Sequence, residues 1–355
     1  MSLKLIAIGA LGNMLGPSAK HLQSNDAANV LRILDRGTTG ERREKIRAEW
    51  QAHGATLAKN LSELMGDGDF DGVIICAGKN GDDYKIFREL VPLLAKQPHN
   101  KPYFILQFST VSCDFVTATY KYCSSHNIDY ANYPLTGGAK GAAAATMLIL
   151  ACGNKQLYHR LENFLQTIGK PKYFGEKPEV GAGIKLIGHI LVFHGLLGVS
   201  LAVTLHQQLL GTEQLGQEQV EVFDFLSQGA GGSKQWEVAV KPGVLENHWG
   251  QGFLLAHAAI DIIYTIQMLL EYQLPQTLCL PLIEISLLFA YLLNKYPQEE
   301  LATQSLTRLI ATTPKIVLDH YLQKYITTDI EKALEHCIFQ LPERLRQSLM
   351  PKVSY

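Results

Sequence analysis

Cysteine is sparse and scattered in this sequence of 355 residues. Its six cysteines, Cys76, Cys113, Cys123, Cys152, Cys279 and Cys337, form no C-x-x-C pair. That spacing suggests neither a metal site nor a disulfide framework, and it fits a reducing, cytoplasmic compartment. Net charge is equally lacking. Thirty-two Lys and Arg against 33 Asp and Glu leave −1, which argues against a nucleic-acid or anionic-membrane partner. Clean apolar runs of membrane-spanning length are also missing. Residues 184–205 carry Lys185, His189 and His194, and residues 277–293 carry Pro281 and Glu284. Both fall short of the roughly 20 uninterrupted apolar residues of a span, so they are expected as helices buried between domains or subunits. The opening apolar run at 3–8 is too short for a secretory signal.

What remains is an ordinary globular composition, 47% hydrophobic and 18% charged, in a chain long enough for two domains. Short apolar runs at 3–8, 30–34, 72–76, 103–108 and 142–151 alternate with helix-like segments. That alternation predicts βαβ units and a parallel sheet. Beyond Gly183 the pattern is nearly all helical, over 184–210, 254–272 and 281–293. Three regions follow: 1–182 as an α/β domain, 183–311 as an all-helical domain opening on a long interdomain helix, and 312–355 as a helical extension. The mixed charges at 41–49, Arg42, Arg43, Lys45 and Arg47 among Glu41, Glu44 and Glu49, read as a solvated helix face.

The first apolar run ends in Ile8-Gly9-Ala10-Leu11-Gly12-Asn13-Met14-Leu15-Gly16-Pro17. Glycines after a first strand permit a tight turn into a helix whose amides receive a pyrophosphate. Gly9, Gly12, Asn13 and Met14 are the candidate contacts, although a plain βα turn explains the spacing equally well. Asp35, ending the second run, can hold adenosine ribose hydroxyls, and so favours NAD. The adjacent Arg36 can instead take a 2′-phosphate, as NADP requires. The reading is a Rossmann-type doubly wound parallel sheet with NAD or NADP as cofactor, Asp35 tipping the balance to NAD.

Further on come Ser109-Thr110-Val111-Ser112, then Tyr133-Pro134-Leu135-Thr136-Gly137-Gly138, then Gly181-Ala182-Gly183-Ile184-Lys185. In this order and spacing they resemble the β-hydroxyacid dehydrogenases, the group of 3-hydroxyisobutyrate dehydrogenase, with 6-phosphogluconate dehydrogenases and imine reductases as remoter kin. The resemblance spans roughly residues 1–310. It implies that Ser109 and Thr110 lie beside the nicotinamide ribose, that Thr136, Gly137 and Gly138 bind a substrate carboxylate, and that Lys185 is the catalytic lysine. It also implies a homodimer formed through the helical half.

Three positions depart from that pattern. Aligned on Leu11-Gly12-Asn13-Met14, the turn has Ala10 and Leu15 at glycine positions; an inserted residue would instead use Gly9, Gly12 and Gly16. His189 stands where the family carries an asparagine, one helical turn after Lys185. Imidazole there can bond substrate and share the acid role, or be a buried histidine bonded to a carbonyl. Ile260-Asp261 replaces a Lys-Asp pair, leaving Asp261 to contact substrate and His257 to lend it polarity. The expected activity is hydride transfer between a nicotinamide and a small hydroxy acid, semialdehyde or related carbonyl or imine compound. The alternative is a binding or scaffold protein that has kept the fold and lost turnover.

Overall fold

The computed structural model describes residues 2–23, 26–37, 39–97, 102–350 and 354–355. They form two compact units, Met1–Lys185 with Ser348–Tyr355, and Leu186–Gln347.

In the first unit, strands and helices alternate: β1 (Leu3–Ile8), α1 (Ala19–Gln23), β2 (Ala28–Leu34), α2 (Glu41–Ala52), β3 (Thr56–Ala58), α3 (Leu61–Met65), β4 (Gly72–Ile75), α4 (Asn80–Ala95), β5 (Phe104–Gln107), α5 (Cys113–Ser124) and β6 (Asp129–Asn132). The strands pair in parallel in the order β3-β2-β1-β4-β5-β6. The order reverses between β1 and β4, and at such a reversal the loops at the strands' carboxyl ends part to leave a crevice.

Both faces of the sheet are covered, which is why its strands read as unbroken apolar runs. Leu5, Ala7, Ile74, Phe104 and Leu106 point to a layer that includes Trp50, Leu161 and Phe164. Ile6, Ile8, Val73, Ile75 and Ile105 point the other way, to Phe87, Leu90 and Phe115. A smaller sheet follows, with β7 (Leu135–Thr136) antiparallel to β8 (Met147–Ala151) and β8 parallel to β9 (Gly169–Tyr173). Residues 142–151 are therefore only half strand. Ala142 and Ala143 close the short helix α6 (Gly138–Ala143), because alanine propagates a helix once a turn has started. α7 (Lys155–Gln166) links β8 to β9.

The last residues belong to this unit. Tyr355 stacks on Tyr122, ring centroids 4.3 Å apart, and its hydroxyl shares a 2.9 Å hydrogen bond with Thr119. Ser348 Oγ donates to Asp82 at 3.1 Å, and Asn80 Nδ2 donates to Met350 O at 3.4 Å.

α8 (Val180–Leu210) begins in the first unit and runs on into the second. The second unit continues through α9 (Gln217–Leu226), α10 (Lys241–Glu246), α11 (Leu255–Glu271), α12 (Leu280–Lys295), α13 (Ser305–Thr312), α14 (Lys315–Tyr325), α15 (Ile330–Gln340) and all but the last two residues of α16 (Glu343–Leu349). α12 is its core, burying Leu282, Ile283, Ile285, Leu287, Phe289 and Ala290. Residues 312–347 thus pack within the helical unit. By length and composition, Val180–Leu210 and Gln276–Lys295 could each cross a membrane, contrary to the shorter estimate from the sequence. α8 leaves Ile187, Leu191, Leu201, Leu205 and Leu209 exposed, Leu191 at 74% and Leu209 at 80%.

Candidate cofactor and active site

The turn after β1 is built on glycine for a steric reason. Gly9 sits at φ +82°, and a Cβ there would lie 2.2 Å from the Cys76 carbonyl oxygen. No L side chain fits so close an approach to the loop after β4. Gly12 N donates to Gly9 O, and Gly16 N to Gly12 O, both at 3.0 Å. Gly16 lies against Ile46 of α2, where a Cβ would come within 2.9 Å of its side chain. Leu15 does not crowd this contact; it is fully buried in the core. Gly9, Gly12 and Gly16 are therefore the glycines the turn uses, with Asn13 and Met14 half-buried between them. Trp50 of α2 locks the arrangement, its buried Nε1 donating to Ala10 O at 3.0 Å.

Asp35 follows β2, its amide donating to Ala58 O at 2.8 Å. Its carboxylate accepts from Gly37 N at 3.0 Å and from Arg47 through Nε at 2.7 Å and Nη2 at 3.3 Å. Hydrogen bonding from Arg47 holds the Asp35 carboxyl below its usual range. Arg47 is thus a half-buried partner of Asp35, not a member of a purely solvated face. The clue lay in its neighbours, since Ile46 and Trp50 mark the inward side of α2. Arg36 is exposed.

Ser109 is buried and Thr110 half-buried, in the loop after β5. Ser112 caps α5 and bonds Asn80 reciprocally: Ser112 N donates to Asn80 Oδ1 at 3.0 Å and Asn80 Nδ2 to Ser112 Oγ at 2.8 Å. The loops after β4 and β5 are thereby tied together. Beneath them lies a buried polar cluster that the motifs did not announce. Asp83 Oδ2 accepts from Gln107 Nε2 at 2.5 Å, Tyr130 donates to Gln107 Oε1 at 2.5 Å, and Asn132 Nδ2 reaches Gln107 Oε1 and Ser109 O, both at 3.1 Å. Burial pushes the Asp83 carboxyl up to about 6 and the Cys76 thiol up to about 12, which keeps that thiol protonated.

Thr136 is half-buried, while Gly137 and Gly138 are exposed at φ +131° and +65°. They open α6, so their amides sit at a helix start, where backbone donors lack intrahelical acceptors. α8 enters close to the sheets, a Cβ at Gly181 falling 2.8 Å from Leu150 O. Lys185, half-buried one turn later, ends the first unit.

In the second unit His189 and Asp261 are both buried, with Nδ1 and Oδ2 3.8 Å apart. This is ion-pair reach but too long for a direct hydrogen bond. Phe193 and Phe253 flank the imidazole, each centroid 5.5 Å away. His257 is exposed, and Ile260 is buried. No metal-ligating cluster occurs among the described residues.

A parallel sheet with reversed strand order, a glycine turn that only a bare backbone can make, and an acid after β2 define a dinucleotide-binding domain. The cradle at Gly9 and Gly12 fits a pyrophosphate, which needs the backbone free of Cβ atoms. Residues 5–181 match the NAD-binding domain of 6-phosphogluconate dehydrogenase, and the chain is similar to hydroxyacid dehydrogenases, 3-hydroxyisobutyrate dehydrogenase among them. It is similar to 2-(hydroxymethyl)glutarate dehydrogenase of Eubacterium barkeri, 24% identical over 42% of this chain and 48% of that one. It is 27% identical to the mitochondrial 3-hydroxyisobutyrate dehydrogenase of Drosophila melanogaster, over 43% of this chain and 46% of the other. These alignments span about half of each relative. The fold resembles that of 3-hydroxyisobutyrate dehydrogenase from Salmonella typhimurium, with a TM-score of 0.70 at 17% identity, covering 87% of this chain and 100% of that one.

Proposed function

We propose that this chain is an NAD(P)-dependent oxidoreductase acting on a small hydroxy acid, semialdehyde or related carbonyl or imine compound. One observation carries the reading: the glycine turn, Asp35 and the Ser109–Thr110 loop all follow strands at the same edge of the reversed parallel sheet, in the unit that also holds Lys185. A bound nicotinamide would supply or accept the hydride. Lys185 donates a proton to the substrate oxygen, or polarises it as an ammonium. The amides of Gly137 and Gly138 with the Thr136 hydroxyl hold the substrate's anion. In the second unit, His189 and Asp261 form a buried polar pair of their own.

The six cysteines, free in the structure, support a cytoplasmic location. The exposed apolar side chains of α8 support a homodimer formed through the helical unit. Fluorescence titration with NADH and NADPH tests the reading, followed by turnover on semialdehydes, 3-hydroxy acids and imines. Absence of binding at millimolar dinucleotide would sink it. Ile260, buried where the resemblance expects a lysine, favours a second reading, a cofactor-binding protein without turnover.

A further inference from the structure

We propose that Arg47, rather than Arg36, decides between the two dinucleotides, and that its presence lets the first unit bind NADPH at least as tightly as NADH. The proposal rests on the cofactor reading above and deepens it.

A lone carboxylate after β2 selects NAD in two ways: it accepts both ribose hydroxyls, and it repels a 2′-phosphate. Asp35 is not alone. A carboxylate offers about four acceptor positions, and three are taken here, one by Gly37 N and two by the Arg47 fork. Two ribose hydroxyls would therefore compete with Arg47. The repulsion of a phosphate is cancelled at its source, since the guanidinium lies against the carboxylate. A guanidinium fork also matches phosphate geometry, so turning from carboxylate to phosphate keeps Arg47 in place.

That place is well defined. Ile46 packs on Gly16, and Trp50 bonds Ala10 O, so α2 is anchored to the turn that receives the pyrophosphate. Arg36 is exposed beside Gly37.

The test compares NADH and NADPH dissociation constants by fluorescence titration for the wild type, Arg47→Met, Arg36→Met and Asp35→Asn. Methionine keeps much of the arginine stem's packing. Arg47→Met should raise the NADPH constant about tenfold or more relative to NADH, the scale of losing a charged hydrogen bond. Arg36→Met should leave the ratio within about twofold. Asp35→Asn should move the ratio the opposite way, toward NADPH, and carries the test by itself if Arg47→Met does not fold. An unchanged ratio in both Arg47→Met and Asp35→Asn overturns this proposal alone, as does a wild type that strongly prefers NADH. A wild type that binds neither dinucleotide overturns the oxidoreductase reading with it.

Discussion

Lys185 is the residue on which turnover should hang. Replacing it with alanine should lower kcat about a hundredfold, the usual worth of a positioned proton donor. Cofactor affinity should barely change, since the turn and Asp35 are untouched. Single-turnover kinetics alongside titration separate the two effects, and unchanged kcat would remove Lys185 from the mechanism. Asp83 makes a different prediction at the same scale. Its carboxyl is raised by burial to about 6 from 3.8, so between those values the folded chain keeps a proton that the unfolded chain has lost. Stability should therefore fall as pH rises from about 4 through 6, by up to about 3 kcal/mol from this group. Asp83→Asn can still accept from Gln107 and has no charge to bury. In denaturant melts it should match the wild type near pH 4 and exceed it at pH 8. An equal difference at both pH values would show that ionisation is not the cause.

The glycine turn and α2 act as one element. Gly9 needs a positive φ, and its Cα faces the Cys76 carbonyl; Gly16 and Trp50 hold α2 against the same turn. Gly9→Ala should cost at least about 2 kcal/mol through strain and collision, and dinucleotide binding should weaken with it. Melting with and without NADPH checks both. A fully stable variant with wild-type affinity would mean the turn is looser than its geometry. This element was partly legible beforehand. Glycines after a strand announce a turn, but two registers fitted the sequence, and only the approach of β4 and α2 distinguishes them. Arg47 was misread for a related reason: a charge pattern cannot say which member of a helix faces another loop.

Over the whole molecule, the apolar side chains exposed along α8 are the feature that a single chain leaves unexplained. Ile187, Leu191, Leu201, Leu205 and Leu209 present much apolar surface to solvent, beyond what scattered surface leucines account for. Light scattering should give the mass of two chains for the wild type. Leu191→Glu with Leu205→Glu should give the mass of one, because burying two carboxylates in an apolar interface is costly. A wild type of single-chain mass defeats the dimer, and flotation with lipid vesicles would point to a membrane instead.

The alternation of apolar runs with helices was enough, in the sequence alone, for a parallel sheet followed by a helical region, because burial on both faces of a sheet forces that composition. The ordered motifs likewise put Gly137 and Gly138 in a turn and Lys185 on a helix, since turn and helix signals are local, whereas Thr136 closes the short strand β7. What joined distant residues was decided only by tertiary structure: Arg47 on Asp35, His189 beside Asp261, Asn80 between Ser112 and Met350, and Asp83 under Gln107. Each pair forms where burial leaves a polar group to be satisfied by whatever the fold brings near, and no local spacing encodes that neighbour.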